Sequence, residues 1–260
     1  MNQPTSFKLK KWYLDAVDAR GEVFIGYAAE LRWNLLSIAY HGSLGCGAEG
    51  GLSTWNSFVQ APMPVLEDQS LHWKAPGIEG DWIATAAPIM ETLFETPEGR
   101  IEWRCVQPRA TADLRVGKKF LHGLGYVECI EMTVPPWKLP IHELRWGRFL
   151  SEQHHVVWIQ WLGPLPKLVI HHNGERHEHG EIDETGLSFG TIRLVLSEGL
   201  PLRSGSLMST VFARAAWIRK LLPLSILKLE ERKWRSRGRL SQEGQEAEIG
   251  WAIHETVKWM

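Results

Sequence analysis

Short runs of alternating apolar and polar residues, cut every few positions by glycine, proline or asparagine, dominate this chain of 260 residues. Alternation with a period of two is what a half-buried strand requires, and turn signals between such runs mark hairpins. Phe7 to Val17 is the first run, and after the turn Ala19-Arg20-Gly21-Glu22 a second follows from Val23 to Ala28. Trp33 to Tyr40, Trp82 to Ala84, Ile89 to Phe94, Ile101 to Val106 and the terminal Ile249 to Trp259 repeat the pattern. Their recurrence predicts an all-β fold of sandwich or barrel type.

Several stretches interrupt it. Gly42 to Gly51 (GSLGCGAEGG) is glycine-rich, but no amphipathic helix follows, so it reads as a flexible loop at a barrel mouth rather than a phosphate cradle. Thr111 to Lys119 is polar and places a domain division near residue 120, giving domains 1–120 and 121–260. The tetrapeptide ELRW at Glu30–Trp33 and again at Glu143–Trp146 is one sign of related halves, although four residues also match by chance. Ser209 to Leu222 carries the one helix pattern, capped by Ser209 or Thr210 and stopped by Pro223.

Composition narrows the function classes. Hydrophobic residues at 44% and charged residues at 23% describe an ordinary globular chain, and a net charge of -1 gives no pull toward nucleic acid. Three cysteines without metal-type spacing argue against a disulfide framework and for a reducing compartment. The N-terminus has no apolar h-region and no run approaches the roughly 20 residues of a membrane span, so a cytoplasmic location is expected. From Arg203 to Arg239 ten Lys or Arg face two Glu, which suits either peripheral membrane contact through 203–239 or a solvated, charge-balancing face. No nucleophile elbow, Walker loop, HExxH or paired-Cys site is present, which disfavours hydrolases and nucleotide enzymes.

Tryptophan is the outlier, with 14 copies against 4 Tyr and 8 Phe. Indoles suit an apolar ligand, and they suit the core of a wide sheet equally well. The stretch from Gly123 to Gly163 concentrates them: a glycine turn, the triplet Tyr126-Val127-Glu128, a proline-rich loop, then strands with Trp137, Trp146, Trp158 and Trp161. Because Trp158 and Trp161 differ by an odd number, an unbulged strand turns them to opposite faces. Farther on, Asn173-Gly174 signals a two-residue hairpin that sets His172 opposite Glu175 and Ile170 opposite His177. His172, His177 and His179 would then share a face. A metal site and a solvated hairpin tip both remain open there.

GLGYVE (Gly123–Glu128) followed by LRWGRFL (Leu144–Leu150) resembles the signature of the carotenoid 1,2-hydratase and AttH-like group. KWYLDAVDARGEVFIGYAAELRW near the start and GWAIHETVKW at the end extend the likeness thinly along most of the chain. The resemblance implies two lipocalin-like (calycin-type) antiparallel barrel or sandwich domains and a hydrophobic, isoprenoid- or polyketide-like small molecule as ligand. Plant tocopherol cyclases and fungal lipocalin-like pericyclases look like more distant relatives. Where carotenoid hydratases show an aspartate followed by polar neighbours, this chain has Glu128 and then Cys129-Ile130-Glu131-Met132.

Hydrating or cyclising an alkene needs a strong proton donor, a dry cavity and groups that hold a carbocation. A carboxyl in apolar surroundings can donate near neutral pH, and aromatic faces stabilise a cation by about 0.5–2 kcal/mol each. Glu128 is the expected acid and Tyr126 its hydrogen-bonding partner. Trp137, Trp146, Arg148, Trp158, Trp161 and His142 are the expected ligand contacts. Neither a cofactor nor a metal is called for. A carrier without chemistry fits the same sequence.

Overall fold

The computed structural model describes residues 7–206, 209, 223 and 227–259. The chain divides into two compact units, Met1–Pro135 and Pro136–Met260. The first contains β1 (Phe7–Val17), β2 (Val23–Trp33), β3 (Leu36–Gly47), β4 (Gly50–Ser57) and β5 (Val65–Glu67), then β6 (Ser70–Ala75), β7 (Ile78–Ala84), β8 (Ile89–Thr96), β9 (Gly99–Val116) and β10 (Lys119–Met132). They form one ten-stranded antiparallel sheet ordered β4-β3-β2-β1-β10-β9-β7-β6-β5, with β8 added against β9. The unit's first and last strands therefore pair at the centre, from Leu9↔Met132 to Val17↔Leu124.

The second unit opens on a 3-10 turn, Pro136–Lys138. It continues with β11 (Glu143–Leu150), β12 (His155–Leu162), β13 (Lys167–His172), β14 (Glu175–His177) and β15 (Glu181–Asp183), then β16 (Gly186–Phe189), β17 (Ile192–Ser206), β18 (Glu230–Gln242) and β19 (Glu248–Lys258). Their order is β14-β13-β12-β11-β19-β18-β17-β16-β15, and again the first and last strands pair centrally, Glu143↔Lys258 to Leu150↔Trp251. Both units are lipocalin-like antiparallel β domains, as expected. They share one topology, although the two ELRW copies do not mark it: the first lies on β2 and the second begins β11.

The division falls after Pro135 rather than near residue 120, because β10 is the closing strand of the first sheet. Thr111 to Val116 is not a boundary either. It continues β9, with Ala112 and Leu114 buried and Thr111, Asp113 and Arg115 turned the other way. Nor is the glycine-rich segment a loop. β3 runs to Gly47, Ala48-Glu49 turns, and β4 pairs back through Cys46↔Leu52 and Leu44↔Thr54. At Asn173-Gly174 the expected hairpin forms, with φ of 48° and 89° and His172 opposite Glu175. The predicted helix lies, apart from Ser209, outside the described residues, and no helix among those described is long and apolar enough to cross a membrane.

Tryptophans set the curvature of the first sheet. Trp82 of β7 donates its indole N–H to the Asp15 carbonyl of β1 at 2.9 Å, although β9 and β10 lie between these strands. Trp73 of β6 comes so near β2 that a Cβ on Gly26 would stand 2.5 Å from its ring. The sheet therefore curls over an apolar interior holding Trp12, Leu14, Leu71, Trp73, Trp82 and Val127. Gly125 provides the clearance: a Cβ there would meet Trp82 Cδ1 at 2.6 Å. Gly147 does the same for Trp158 in the second unit, at 2.2 Å from Cζ2, with His254 Cβ at 2.8 Å. Gly123 and Gly125 are thus strand residues of β10, not a turn.

Within the basic run, Lys233 and Arg235 are buried. The Lys233 ammonium sits 2.5 Å from a Glu255 carboxylate oxygen, and the Arg235 and Arg237 guanidinium groups each lie 4.9 Å from the Trp251 ring. These three cations of the run are drawn into aromatic and acidic contacts.

Overpacking beneath an indole costs about 1–3 kcal/mol. Gly147→Ala is expected to lower unfolding free energy by that amount in urea titrations. Gly199→Ala, whose Cβ would meet nothing closer than 3.5 Å, is expected to be near neutral. Equal effects would contradict the clearance role.

Candidate active site on the Tyr126–Glu128 strand

Alternation along β10 sends Val127 and Cys129 into the curled interior and turns Tyr126 and Glu128 to the other face. Register carries that second face across the neighbouring strands. Asp15 lies opposite Tyr126, Tyr13 opposite Glu128, Tyr27 opposite Tyr13, and Trp103 opposite Ile130. A central strand with one solvated side would show alternating exposure. Here Trp12 to Val17 and Gly125 to Cys129 are buried without a break, so both faces are withdrawn from water.

The polar groups on this face therefore turn to one another. Glu128 is 8% exposed, while Asp15, Cys105 and Tyr126 are fully buried. The Trp103 indole N–H donates to Glu128 Oε2 at 2.6 Å, and the Tyr126 hydroxyl donates to the same oxygen at 2.7 Å. Two donors on Oε2 fix it as an acceptor, so a proton carried by Glu128 resides on Oε1. Burial pushes the Tyr126 phenol well above its ordinary range, with Cys105 and Glu128 adding to the rise, so the phenol stays a donor. Burial likewise raises the Cys105 thiol well above its usual value, which keeps it protonated and a poor nucleophile. Tyr13 meets both Tyr27 and Tyr126 edge-on, at centroid distances of 5.6 and 6.1 Å.

β9 is irregular at this point. Between Gly125↔Ala110 and Val127↔Gln107, and again between Val127 and Cys129↔Arg104, it carries an extra residue relative to β10. The two bulges fall opposite Tyr126 and Glu128, and Pro108 lies in the first. Bulges re-aim side chains and are common beside active sites.

The other expected contacts lie in the second unit. Trp146, Arg148 and Trp161 share one face of β11 and β12, as the pairings Leu144↔Trp161 and Trp146↔Ile159 require. Trp158 is on the opposite face, inside the second core with Phe149 and Ile170. Arg148 is fully buried and donates to the Trp251 carbonyl at 2.8 Å, and Lys233 sits 5.7 Å from the Trp146 ring centroid. Trp137 is half-buried on the 3-10 turn. His142 is exposed, its backbone bonded to Leu162 and Trp259. The expected single constellation is thus distributed over both units, with Tyr126 and Glu128 in the first. Trp103, Tyr13, Asp15 and Cys105 are additions. The legible signal was Asp15, a carboxylate inside the otherwise apolar run Tyr13-Leu14-Asp15-Ala16-Val17.

The histidines of the second unit follow another logic. His172 Nε2 and His154 Nδ1 are 2.9 Å apart with their rings stacked, and His177 packs on Phe189. His179 is exposed beyond the end of β14, and among the described residues no group of three or more His, Cys, Asp or Glu is placed to hold a metal ion. His254 is buried against Trp234, with its Nε2 2.9 Å from the Ser236 hydroxyl. Burial lowers His254 to about 4; burial, then His154 and His177, lowers His172 to about 4.

No protein-family model and no curated protein sequence matches the chain. Solved structures do. An AttH-like protein from Nitrosomonas europaea superposes with a TM-score of 0.58 at 10% identity, covering 95% of this chain and 92% of that one. Kievitone hydratase from Nectria haematococca gives 0.54 at 9% identity over 96% and 88%. CghA, solved with Sch210972, gives 0.53 at 10% identity over 98% and 89%. At these identities the likeness is one of fold.

Two histidines held neutral make folding pH-dependent. The unfolded chain takes up their protons below about 6.5 while the folded chain resists until about 4. Stability therefore falls as pH drops through that window, by about 2 kcal/mol at pH 5 for His254 and by less for His172, which water screens more. In urea unfolding at pH 7 and pH 5, His254→Asn is expected to remove about one proton from the uptake on unfolding. An unchanged pH slope would contradict it.

Proposed function

We propose that this protein binds a hydrophobic, isoprenoid- or polyketide-like molecule and that Glu128 transfers a proton to or from it, promoting hydration, cyclisation or isomerisation of an alkene. The observation that carries this reading is the pair of donors, Trp103 and Tyr126, on one oxygen of a buried carboxyl. They orient the carboxyl and leave Oε1 as the atom that gives and takes the proton. Protonation of a C=C bond by Oε1–H yields a carbocation and a Glu128 carboxylate. Water then adds and returns a proton to Oε1, giving an alcohol. Loss of a proton from a neighbouring carbon to Oε1 instead gives an isomerised alkene, and attack of a second C=C bond on the cation before that loss gives a ring-closed one. The faces of Tyr13, Tyr27 and Tyr126 stabilise a transient cation, and the buried strand limits competing water.

The fold shared with a kievitone hydratase and with CghA supports this class of reaction, and so does the resemblance around Tyr126-Val127-Glu128. A carrier that binds the same molecule without altering it is the rival reading. Incubation with candidate polyenes in D2O, followed by mass spectrometry, separates the two. The expected result is one deuterium gained at carbon, with the rate falling 10²-fold or more in Glu128→Gln while binding persists. Binding with no product from the parent protein would establish the carrier, and an unaffected Glu128→Gln would remove Glu128 from the mechanism.

A further inference from the structure

The opposite face of β9 borders a cavity in the first unit. Trp103 and Cys105 turn toward Glu128, whereas Arg104 and Val106 turn toward the curled interior, in register with Cys129. There they line an open cleft of about 670 Å³. Leu66, Ala84 at the end of β7, the loop 85–88 and Met90 contribute to its largely apolar wall. That volume lies within the range of small-molecule pockets, roughly 300–1,000 Å³.

Arg104 gives the cleft a polar anchor. Its guanidinium pairs with Glu131, but Lys10 also reaches Glu131, at 3.5 Å, so one carboxylate serves two cations. The Nε–H of Arg104 is buried and has no hydrogen-bond partner, while the side chain as a whole remains 37% exposed. A buried donor of this kind is costly until an acceptor arrives. The Cys129 thiol behind it registers both cations: burial pushes it up to about 11 while the charges of Lys10 and Arg104, and a hydrogen bond from Arg104, pull the other way. Asp68 also lines the cleft, but it is exposed, where water screens it.

We propose that this cleft is a second ligand site, taking an apolar molecule with a single anionic end directed at Arg104. The site is separate from Glu128, since the two lie on opposite faces of β9 and β10.

Fluorescence titration with 8-anilino-1-naphthalenesulfonate and with N-phenyl-1-naphthylamine, the same skeleton without the sulfonate, tests this directly. The sulfonate is expected to bind one per chain and at least tenfold tighter than the neutral amine. Arg104→Gln is expected to erase that preference while leaving the amine's affinity unchanged. Met90→Glu, at a position 74% exposed and therefore safe for folding, is expected to weaken the sulfonate alone. Glu128→Gln is expected to leave both probes unaffected, which keeps this site distinct from the proposed reaction. Absence of saturable sulfonate binding, equal affinity for the two probes, or sulfonate binding indifferent to both Arg104→Gln and Met90→Glu would overturn the proposal.

Discussion

Burial of both faces of β1 and β10 where they cross the centre of the sheet, Trp12 to Val17 and Gly125 to Cys129, is the constraint on which the rest of the first unit depends. These strands pair at the centre of a sheet that curls around one face, so their inward residues can be apolar throughout. Their outward residues are equally withdrawn from water, yet they include Asp15, Tyr126 and Glu128. An isolated buried carboxylate costs several kcal/mol, so such groups persist only where donors converge on them. Trp103 and Tyr126 are those donors for Glu128, and each is itself fixed on a buried strand.

Core packing and the candidate site meet in a few residues of β10. Gly125 clears space for the Trp82 indole on the inside, and the next residue, Tyr126, presents its hydroxyl to Glu128 on the outside. The paired bulges in β9 supply the local twist that lets Trp103 reach across. The chemistry of the outer face thus depends on the glycine–indole packing of the inner face. Gly147 beneath Trp158 repeats that packing in the second unit, between two outward residues, Trp146 and Arg148.

How much of this the sequence disclosed varies by element. Period-two alternation located β1, β2 and β19, because large apolar side chains mark their buried faces. β9 is not legible as one long strand because its inward residues, Ala110 and Ala112, are small and its outward ones, Thr111, Asp113 and Arg115, are polar or charged. That polar face places the sequence-based division near residue 120, within the sheet, whereas the compact units meet after Pro135. Tyr126 and Glu128 were legible as a same-face pair from their spacing, and parity alone separated Trp158 from Trp161. Trp103 was not legible as a partner of Glu128, since the contact links residues 25 positions apart across an irregular register. The abundance of tryptophan also misled in part. Trp73, Trp82 and Trp158 fill space above glycines, a role that composition does not distinguish from lining a cavity.

The central claim is that Trp103 and Tyr126 jointly hold Glu128 through one oxygen. Carbon-13 NMR of protein labelled at the glutamate side-chain carboxyl tests it most directly, with the Glu128 signal assigned by its loss in Glu128→Gln. Trp103→Phe and Tyr126→Phe are each expected to shift that signal, and the double variant to shift it further. A Glu128 signal indifferent to both substitutions would contradict the account.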